Sequence, residues 1–248
     1  MNTSFEFDQS DAKKLLAEIA SALAHDVRTP VRHTGQFLEL MELEGGAAGQ
    51  DSHLGIVKDS VGIVSEMLDN VINFIRLGRG LSPSEDVDFE QLARTAFDRA
   101  RLALEAETIS FNFEGEKYGV GHDVRLMELF LHLFENSIIH GGASQVAVQS
   151  ARVGDHVELY ISDNGPGIPA DFGDTAFTLF IKTKTDDPNQ GQGVGLSMAR
   201  RIAELHGGTL TIDTSGKAAL PGLSLLLSLP LDPQIALEAN VSEEETVY

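Results

Sequence analysis

The chain has 248 residues, of which 42% are hydrophobic, so it can bury one large core or two modest ones. Its formal net charge of -20 would repel nucleic acid and anionic membrane surfaces, and we expect neither as a partner. The sequence has no cysteine, which excludes disulfide bonds, thiol catalysis and thiolate metal sites.

No apolar run approaches the roughly 18 residues that a membrane-spanning helix needs. The polar beginning, residues 1–10, lacks the apolar segment of a signal peptide and is interpreted as a short lead-in. The sequence therefore predicts a cytoplasmic protein without a membrane span of its own. A sensor for an external signal would lie on another chain or on a part removed from this one.

Two amphipathic helices are predicted next. Between residues 11 and 44, apolar residues recur at steps of three and four, and a glycine-rich stretch then interrupts the pattern. A second apolar series begins near Asp51 with the alternating spacing of a coiled-coil seam. An antiparallel hairpin of two such helices would leave much of its apolar stripe in water. We therefore predict that residues 11–78 form a dimeric four-helix bundle.

A second domain is predicted after a linker at residues 79–84, where glycine, proline and serine replace the helical pattern. The unrepeated order of strands and helices that follows is typical of an α+β sandwich with helices on one face, spanning residues 85–231. The acidic residues 232–248 are interpreted as a mobile tail. The predicted elements are strands at 87–89, 108–113, 145–151 and 156–162, helices at 91–106, 123–140 and 194–206, and a closing hairpin at 208–214 and 222–229.

His25 is a candidate nucleophile on the first predicted helix. Imidazole is reactive near neutral pH, and the neighbouring Asp26 can orient the ring and accept its proton. Pro30, five residues later, would bend the helix by removing a backbone hydrogen bond. By itself this pattern is weak, because a histidine on a helix is more often a solvated or structural side chain.

A glycine loop follows the strand predicted at 156–162. Asp163 ends that segment, and Gly165 and Gly167 would let a backbone approach a ligand closely. The alternative interpretation is an ordinary Gly-Pro turn.

A second glycine cluster leads into the helix predicted at 194–206. The first residues of a helix have unpaired N–H groups and a positive dipole end, which suit phosphate. The pattern fits neither a dinucleotide fold nor a P-loop. The cluster consists of Gly191, Gly193, Val194, Gly195 and Leu196.

Asn136 lies within the helix predicted at 123–140, and an amide there is commonly a surface residue. Its functional interpretation is a hard oxygen ligand for Mg²⁺. Glu135 beside it could hold a metal-bound water or act as an outer ligand.

The order of these motifs resembles that of two-component sensor histidine kinases. The resemblance covers residues 11–231 and implies a dimerisation and histidine-phosphotransfer hairpin followed by an ATP-binding domain of the Bergerat type, shared with Hsp90, gyrase and MutL. The matched segments are His25–Pro30 for the H box, Asn136 for the N box, Asp163–Gly167 for G1, Phe180 for F and Gly191–Gly195 for G2.

The resemblance also implies a role for each matched residue. His25 resembles the phosphoacceptor, and Asp163 the carboxylate that accepts a hydrogen bond from the adenine amino group. Residues 182–192 resemble a mobile ATP lid. Magnesium ligation is implied for Asn136 with Glu135, and nucleotide contacts are implied for Asn136, His140, Asp163, Gly165, Gly167, Lys182, Thr183, Lys184, Gly191, Gly193, Val194, Gly195 and Leu196.

The implied activity is autophosphorylation of His25 with ATP and Mg²⁺, followed by transfer to an aspartate of a response-regulator receiver domain. The implied assembly is a homodimer. Thr29 resembles a position that in related kinases orients water to dephosphorylate the regulator. These assignments make His25, Asp26 and Thr29 the expected catalytic residues.

Two alternatives use the same scaffold. One is a dimeric histidine phosphotransferase with a degenerate nucleotide site, and the other is a serine kinase or ATPase with the same nucleotide fold. His132 replaces the family's usual second asparagine, and Ile139 replaces a basic residue, which mildly favours the phosphotransferase. The intact Asn136 and Asp163 favour the kinase.

Overall fold

The computed structural model describes residues 27–44, 50–77, 85–169, 172–181 and 193–232. The chain divides into two compact units, Met1–Arg76 and Leu77–Tyr248. The predicted lead-in, the beginning of the first helix, the linker at 79–84 and the tail after residue 232 lie outside the described residues.

In the described ranges, the first unit contains two packed helices, α1 (Arg28–Glu44) and α2 (Gln50–Arg76). The second helix begins one residue before the predicted position. Because Pro30 lies near the beginning of α1, the bend predicted there involves residues outside the described ranges. Among the helices in those ranges, none is long and apolar enough to cross a bilayer.

The second unit is built on a five-stranded sheet and a separate two-stranded ribbon. Its elements are β1 (Glu85–Asp88), α3 (Phe89–Ala103), β2 (Ser110–Gly115), β3 (Tyr118–Gly121), α4 (Asp123–Ile139), β4 (Gln145–Val153), β5 (His156–Asp163), a 3-10 helix (Gly173–Phe177), α5 (Gly195–Leu205), β6 (Thr209–Ile212) and β7 (Ser224–Pro230).

The order of strands in the large sheet is β2-β4-β5-β7-β6, and β1 pairs with β3 in the ribbon. The sheet is mixed, because β2 and β4 are parallel whereas the remaining pairs are antiparallel. Ile161 of β5 lies opposite Val148 of β4 and Leu225 of β7. The predicted domain of mixed strands and helices is therefore confirmed, and it is an α/β fold with a mixed sheet. The predicted closing hairpin is formed by β6 and β7.

One face of the sheet packs on the helices. Val157, Leu159 and Ile161 point to the same face of β5 and are at most 2% exposed. Asp163 is the next residue of this series and bonds to Ser137 of α4, so this is the face that the helices cover. The strand therefore delivers its last side chain, a carboxylate, into the layer between sheet and helices.

Aromatic rings fill the layer beside α4. Phe134 contacts Phe97 edge-on at 5.7 Å between ring centroids and Phe111 at 5.4 Å, and it stacks on Phe130 at 6.0 Å. Phe130 and Phe134 are fully buried, and each such ring stabilises the fold by about 2–3 kcal/mol. These contacts fix the face that α4 presents to the sheet, and with it the position of Asn136 two residues later.

Several boundaries differ from the sequence prediction, and two of the differences have clear local causes. The prediction of Phe89 as strand was wrong, because Asp88 caps the helix by accepting a hydrogen bond from the Gln91 N–H at 2.9 Å. Helix α3 ends at Ala103 rather than Ala106, since Glu105 has a left-handed φ of 53°.

Strand β3 was not predicted. Two of its four residues are glycine, which weakens the strand pattern. Gly119 is required by packing, because a Cβ atom there would lie 2.3 Å from the ring of Phe89.

Candidate functional site

Asp163 is the best-defined candidate residue of the second unit. It ends β5, and the residue is only 2% exposed. Its Oδ1 accepts hydrogen bonds from the N–H groups of Gly165 at 2.9 Å and Leu223 at 3.1 Å. Its Oδ2 accepts one from the Ser137 hydroxyl at 2.9 Å. Three neutral donors thus hold the carboxylate in one orientation. Their hydrogen bonds offset the free energy that is lost when the carboxylate is removed from water.

Close backbone approach surrounds this carboxylate. Gly222 donates its N–H to the Asp163 carbonyl at 2.7 Å, and a Cβ atom on Gly222 would lie 2.4 Å from Asp163 Oδ1. A Cβ atom on Gly165 would lie 2.5 Å from the carbonyl oxygen of Gly141. Neither glycine can carry a side chain without moving backbone, so the loop after β5, the end of α4 and the turn before β7 meet at this point.

Gly167 needs glycine for a different reason. Its φ is +72°, a left-handed conformation, whereas a Cβ atom would meet only ordinary contacts with Gly222. The G1 segment therefore combines one glycine required by packing with one required by backbone conformation.

The second glycine cluster is described from residue 193 onward. Gly193 has a φ of +70°, and its carbonyl accepts a hydrogen bond from Phe180 N–H at 2.9 Å. Phe180 also has a left-handed φ, of 65°, and is buried. The described residues on the two sides of the predicted lid, Phe180 and Gly193, are therefore joined by a hydrogen bond. Val194 occupies the N-cap position of α5 without a side-chain hydrogen bond, and Gly195 and Leu196 are the first residues of the helix.

The first turn of α5 lies against α4. A Cβ atom on Gly195 would lie 3.7 Å from the carbonyl oxygen of His132, a normal contact distance. The side chain of His132 has Nδ1 3.7 Å from Glu135 Oε2, and its Nε2 is buried without a hydrogen-bond partner in the described part of the chain. Both residues are partly exposed, as is Asn136 one turn after His132.

The structure brings several of the predicted residues into one region. Ser137 connects α4 to Asp163, and Gly195 contacts α4 one turn earlier, so Asn136 and Glu135 lie between the two glycine segments along α4. The backbone N–H of His140 donates to the Asn136 carbonyl at 3.0 Å, and His140 itself is exposed.

Other predicted residues are not tested. Thr29 lies in α1 of the first unit. Outside the described residues are His25, Asp26, Lys182, Thr183, Lys184 and Gly191.

Sequence reasoning missed three residues of this site. Ser137 directly follows the candidate residue Asn136 in the sequence. Its hydrogen bond to Asp163, however, depends on the rotation of α4 about its axis, which the sequence pattern does not give. The sequence pattern indicated Gly222 only as the beginning of the second strand of the closing hairpin. The contacts of Gly222 and Leu223 with Asp163 result from the pairing of β5 with β7, which the sequence pattern does not give.

The two buried serines near Asp163 offer a test of this hydrogen-bond network. Ser137→Ala removes one donor to a buried carboxylate and should lower the free energy of unfolding by about 1.5–3 kcal/mol. Ser162→Ala should change it by less than about 0.5 kcal/mol or raise it, since the Ser162 hydroxyl is buried without a partner in the described part of the chain. Urea unfolding followed by circular dichroism measures both, and equal losses would contradict the assigned bond.

A family model described as "Histidine kinase-, DNA gyrase B-, and HSP90-like ATPase" matches residues 121–233. The signal transduction histidine-protein kinase AfsQ2 of Streptomyces coelicolor is 28% identical over 96% of this chain and 46% of its own length. The sensor-type histidine kinase PrrB of Mycobacterium leprae is 30% identical over 90% of this chain and 50% of its own. The chain thus spans about half the length of these curated relatives.

Solved structures show the same fold. The mycobacterial sensor histidine kinase MprB aligns with a TM-score of 0.51 and 26% identity, covering 59% of this chain and 97% of that structure. Histidine kinase ThkA, in complex with response regulator protein TrrA, aligns with a TM-score of 0.66 and 18% identity over 92% of this chain and 65% of that one. Residues 121–233 therefore form a histidine kinase-, DNA gyrase B- and HSP90-like ATPase domain, and the chain is a homologue of sensor histidine kinases.

Proposed function

We propose that this chain is an ATP-dependent protein-histidine kinase that autophosphorylates on His25. The observation that carries the proposal is the buried Asp163, held by Gly165, Leu223 and Ser137 at the end of β5. A carboxylate oriented by neutral donors is suited to accept a hydrogen bond from an exocyclic amine, and adenine offers one. The match to an ATPase family over the same residues supports this assignment.

The glycine segments would hold the remainder of the nucleotide. Gly165 and Gly167 lie directly after the proposed adenine ligand, and Gly193 and Gly195 lead into α5. The first turn of α5 presents free N–H groups and a positive dipole end to phosphate oxygens. Cationic side chains proposed for the same role, Lys182 and Lys184, belong to the segment outside the described residues.

The donor set at α4 fits Mg²⁺. Asn136 offers an amide oxygen and Glu135 a carboxylate, both partly exposed, and Mg²⁺ prefers a few oxygen ligands together with substrate phosphates and water. In the described ranges no group of three or more His, Asp or Glu side chains is placed to hold a metal ion by itself. A bound Mg²⁺ would neutralise charge on the phosphates, with Asn136 as its protein ligand and Glu135 holding a coordinated water.

The chemistry proposed for His25 is in-line phosphoryl transfer. A ring nitrogen forms a bond to the γ-phosphorus while the bond from that phosphorus to the bridging oxygen breaks, and ADP leaves. Asp26 takes the proton that the ring releases. The phosphohistidine then donates the group to an aspartate of a response-regulator receiver domain. ThkA, a relative in fold, has been solved with such a regulator. Thr29 is proposed to orient the water that hydrolyses the phosphorylated aspartate of the regulator, which releases inorganic phosphate.

Incubation with γ-labelled ATP and Mg²⁺ tests the function. We expect label that is stable in alkali and lost in acid on the wild type, and none on Asn136→Ala, because that variant lacks the proposed metal ligand. A wild type that neither binds ATP nor takes up label, yet accepts phosphate on His25 from a phosphorylated regulator, would replace the kinase with the histidine phosphotransferase.

A homodimer is proposed from the surface of the helical hairpin. Four apolar residues of α2 lie seven positions apart and stay between 36% and 51% exposed: Leu54, Val61, Leu68 and Ile75. Val31 and Leu38 of α1, also seven apart, are 54% and 45% exposed. A continuous apolar stripe at heptad spacing fits a second copy of the hairpin.

Sedimentation equilibrium measures this assembly. The wild type should sediment at twice the mass of one chain, and Leu68→Asp should shift it toward the monomer, because a charge would be buried in the seam. Glu66→Asp changes a neighbouring position of α2 without removing charge and should stay dimeric. A wild type that is monomeric at micromolar concentration would contradict the proposed dimer.

A further inference from the structure

His206 joins the end of α5 to the beginning of α4. Its Nε2 accepts a hydrogen bond from the backbone N–H of His122 at 3.0 Å. Its Nδ1 lies 2.7 Å from the carbonyl oxygen of Ile202. A carbonyl oxygen only accepts, so Nδ1 carries the proton and Nε2 does not. Both ring nitrogens therefore make hydrogen bonds, and only the neutral ring can make the two bonds together.

The ring has little freedom to move. His206 is 8% exposed, and a Cβ atom on Gly121 would lie 3.3 Å from its Cδ2. The same Cβ atom would lie 2.4 Å from Leu126 in the first turn of α4. Because Gly121 has no side chain, the His206 ring has room to reach the backbone N–H of His122.

In the described part of the chain, few charged groups surround the ring. His122 faces it directly, and the Nδ1 of His122 lies 3.9 Å from Asp123 Oδ1, whose side chain is 70% exposed. Burial lowers the pKa of His206 below its usual 6.5, the hydrogen bond with Ile202 opposes this, and the proximity of His122 lowers the pKa further. The neutral ring therefore contributes stability above about pH 6.5, and that contribution is lost as the pH falls through and below this value toward the folded-state pKa.

The two helices that meet at His206 carry the proposed nucleotide site at their other ends. Helix α4 has His122 as its N-cap and ends beyond Asn136 and Ser137, whereas α5 begins at Gly195. The helices pack together along their length. A bond at one end of such a pair limits their sliding and so fixes the distance between their functional ends.

We propose that His206 is a positioning residue that holds α4 and α5 in register for nucleotide binding and releases them when its ring takes up a proton. The proton arrives on Nε2 and converts the acceptor into a donor that faces the His122 N–H. The hydrogen bond is then lost, and a charge is left in a buried position. This inference rests on the proposed nucleotide site.

The test compares the dissociation constant of a fluorescent ATP analogue at about pH 7.5 and pH 5.5, using the full chain. His206→Gln supplies an amide oxygen in place of Nε2 and does not titrate. The loss of affinity on acidification should be roughly tenfold greater for the wild type than for this variant. His206→Phe fills the space without an acceptor and should bind weakly at both pH values. His156→Gln, at the beginning of β5, is the matched histidine control and should behave as the wild type does.

A second readout is the ¹⁵N amide resonance of His122, whose shift between these pH values should be larger in the wild type than in His206→Gln, because only the wild type adds protonation of the His206 ring. Equal pH dependence of binding in the two proteins, or a His122 amide that does not respond between these pH values, would overturn the inference. If the wild type binds no nucleotide at about pH 7.5, the proposed function fails, and the His122 amide still reports whether the joint opens on protonation.

Discussion

Asp163→Asn is expected to weaken adenine-nucleotide binding roughly a hundredfold, corresponding to about 3 kcal/mol, while the protein stays folded. The asparagine oxygen can still accept from the N–H groups of Gly165 and Leu223. Its amide nitrogen would then take the position of Oδ2, beside the Ser137 hydroxyl, which can rotate to accept. An N–H donor would thus face the adenine amino group where an acceptor is needed.

Isothermal titration with a non-hydrolysable ATP analogue measures this loss, and circular dichroism checks the fold. Asp213→Asn is the matched control, because Asp213 also accepts hydrogen bonds from neighbours, the Ser215 N–H and the Ser224 hydroxyl. It should leave affinity within about twofold of the wild type. Unchanged binding by Asp163→Asn would remove the proposed adenine contact.

Gly222→Ala is expected to disturb the surroundings of Asp163 by a steric clash, whereas Asp163→Asn changes the charge there. Its Cβ atom would lie 2.4 Å from Asp163 Oδ1, 2.6 Å from the Asp163 carbonyl oxygen and 2.6 Å from the Gly165 nitrogen. All three are held by the backbone or by hydrogen bonds, so the turn before β7 has to move. The second unit should lose about 3 kcal/mol of stability and most of its nucleotide affinity.

Gly62→Ala provides the comparison in the helical unit. Nothing lies within 4 Å of a Cβ atom there, and an alanine inside α2 should raise helix stability by about 0.5–1 kcal/mol. Urea unfolding of the two variants, together with nucleotide titration, separates these effects. A Gly222→Ala protein that unfolds and binds as the wild type does would show that the approach to Asp163 is not tight.

Most of the architecture could be predicted from local patterns. The steps of three and four marked α2 to within one residue at its beginning, because they reflect a helix face that is buried in the same way along the element. The strands predicted at 145–151 and 156–162 correspond to β4 and β5. The ribbon strand β3 was missed, since its glycines give no strand signal and serve packing, Gly119 against Phe89 and Gly121 against Leu126.

Only part of the candidate site could be predicted from the sequence. Asp163 and the glycine loops stood out because turns, close approach and helix ends require those residue types. The groups that orient the carboxylate did not, because Ser137 and Leu223 are ordinary residues 26 positions before and 60 positions after Asp163. Their roles depend on the rotation of α4 and on the pairing of β5 with β7, which no local pattern encodes.

The reaction proposed for this protein transfers the γ-phosphoryl group of ATP to His25. Mass spectrometry of the tryptic peptide 15–28, prepared at neutral pH after incubation with ATP and Mg²⁺, tests it most directly, because the peptide contains one histidine and one serine. We predict the mass of one added phosphoryl group, lost in mild acid, absent from His25→Gln and retained in His33→Gln. An unmodified peptide in a protein that binds ATP, or an acid-stable group on Ser21, would contradict the account.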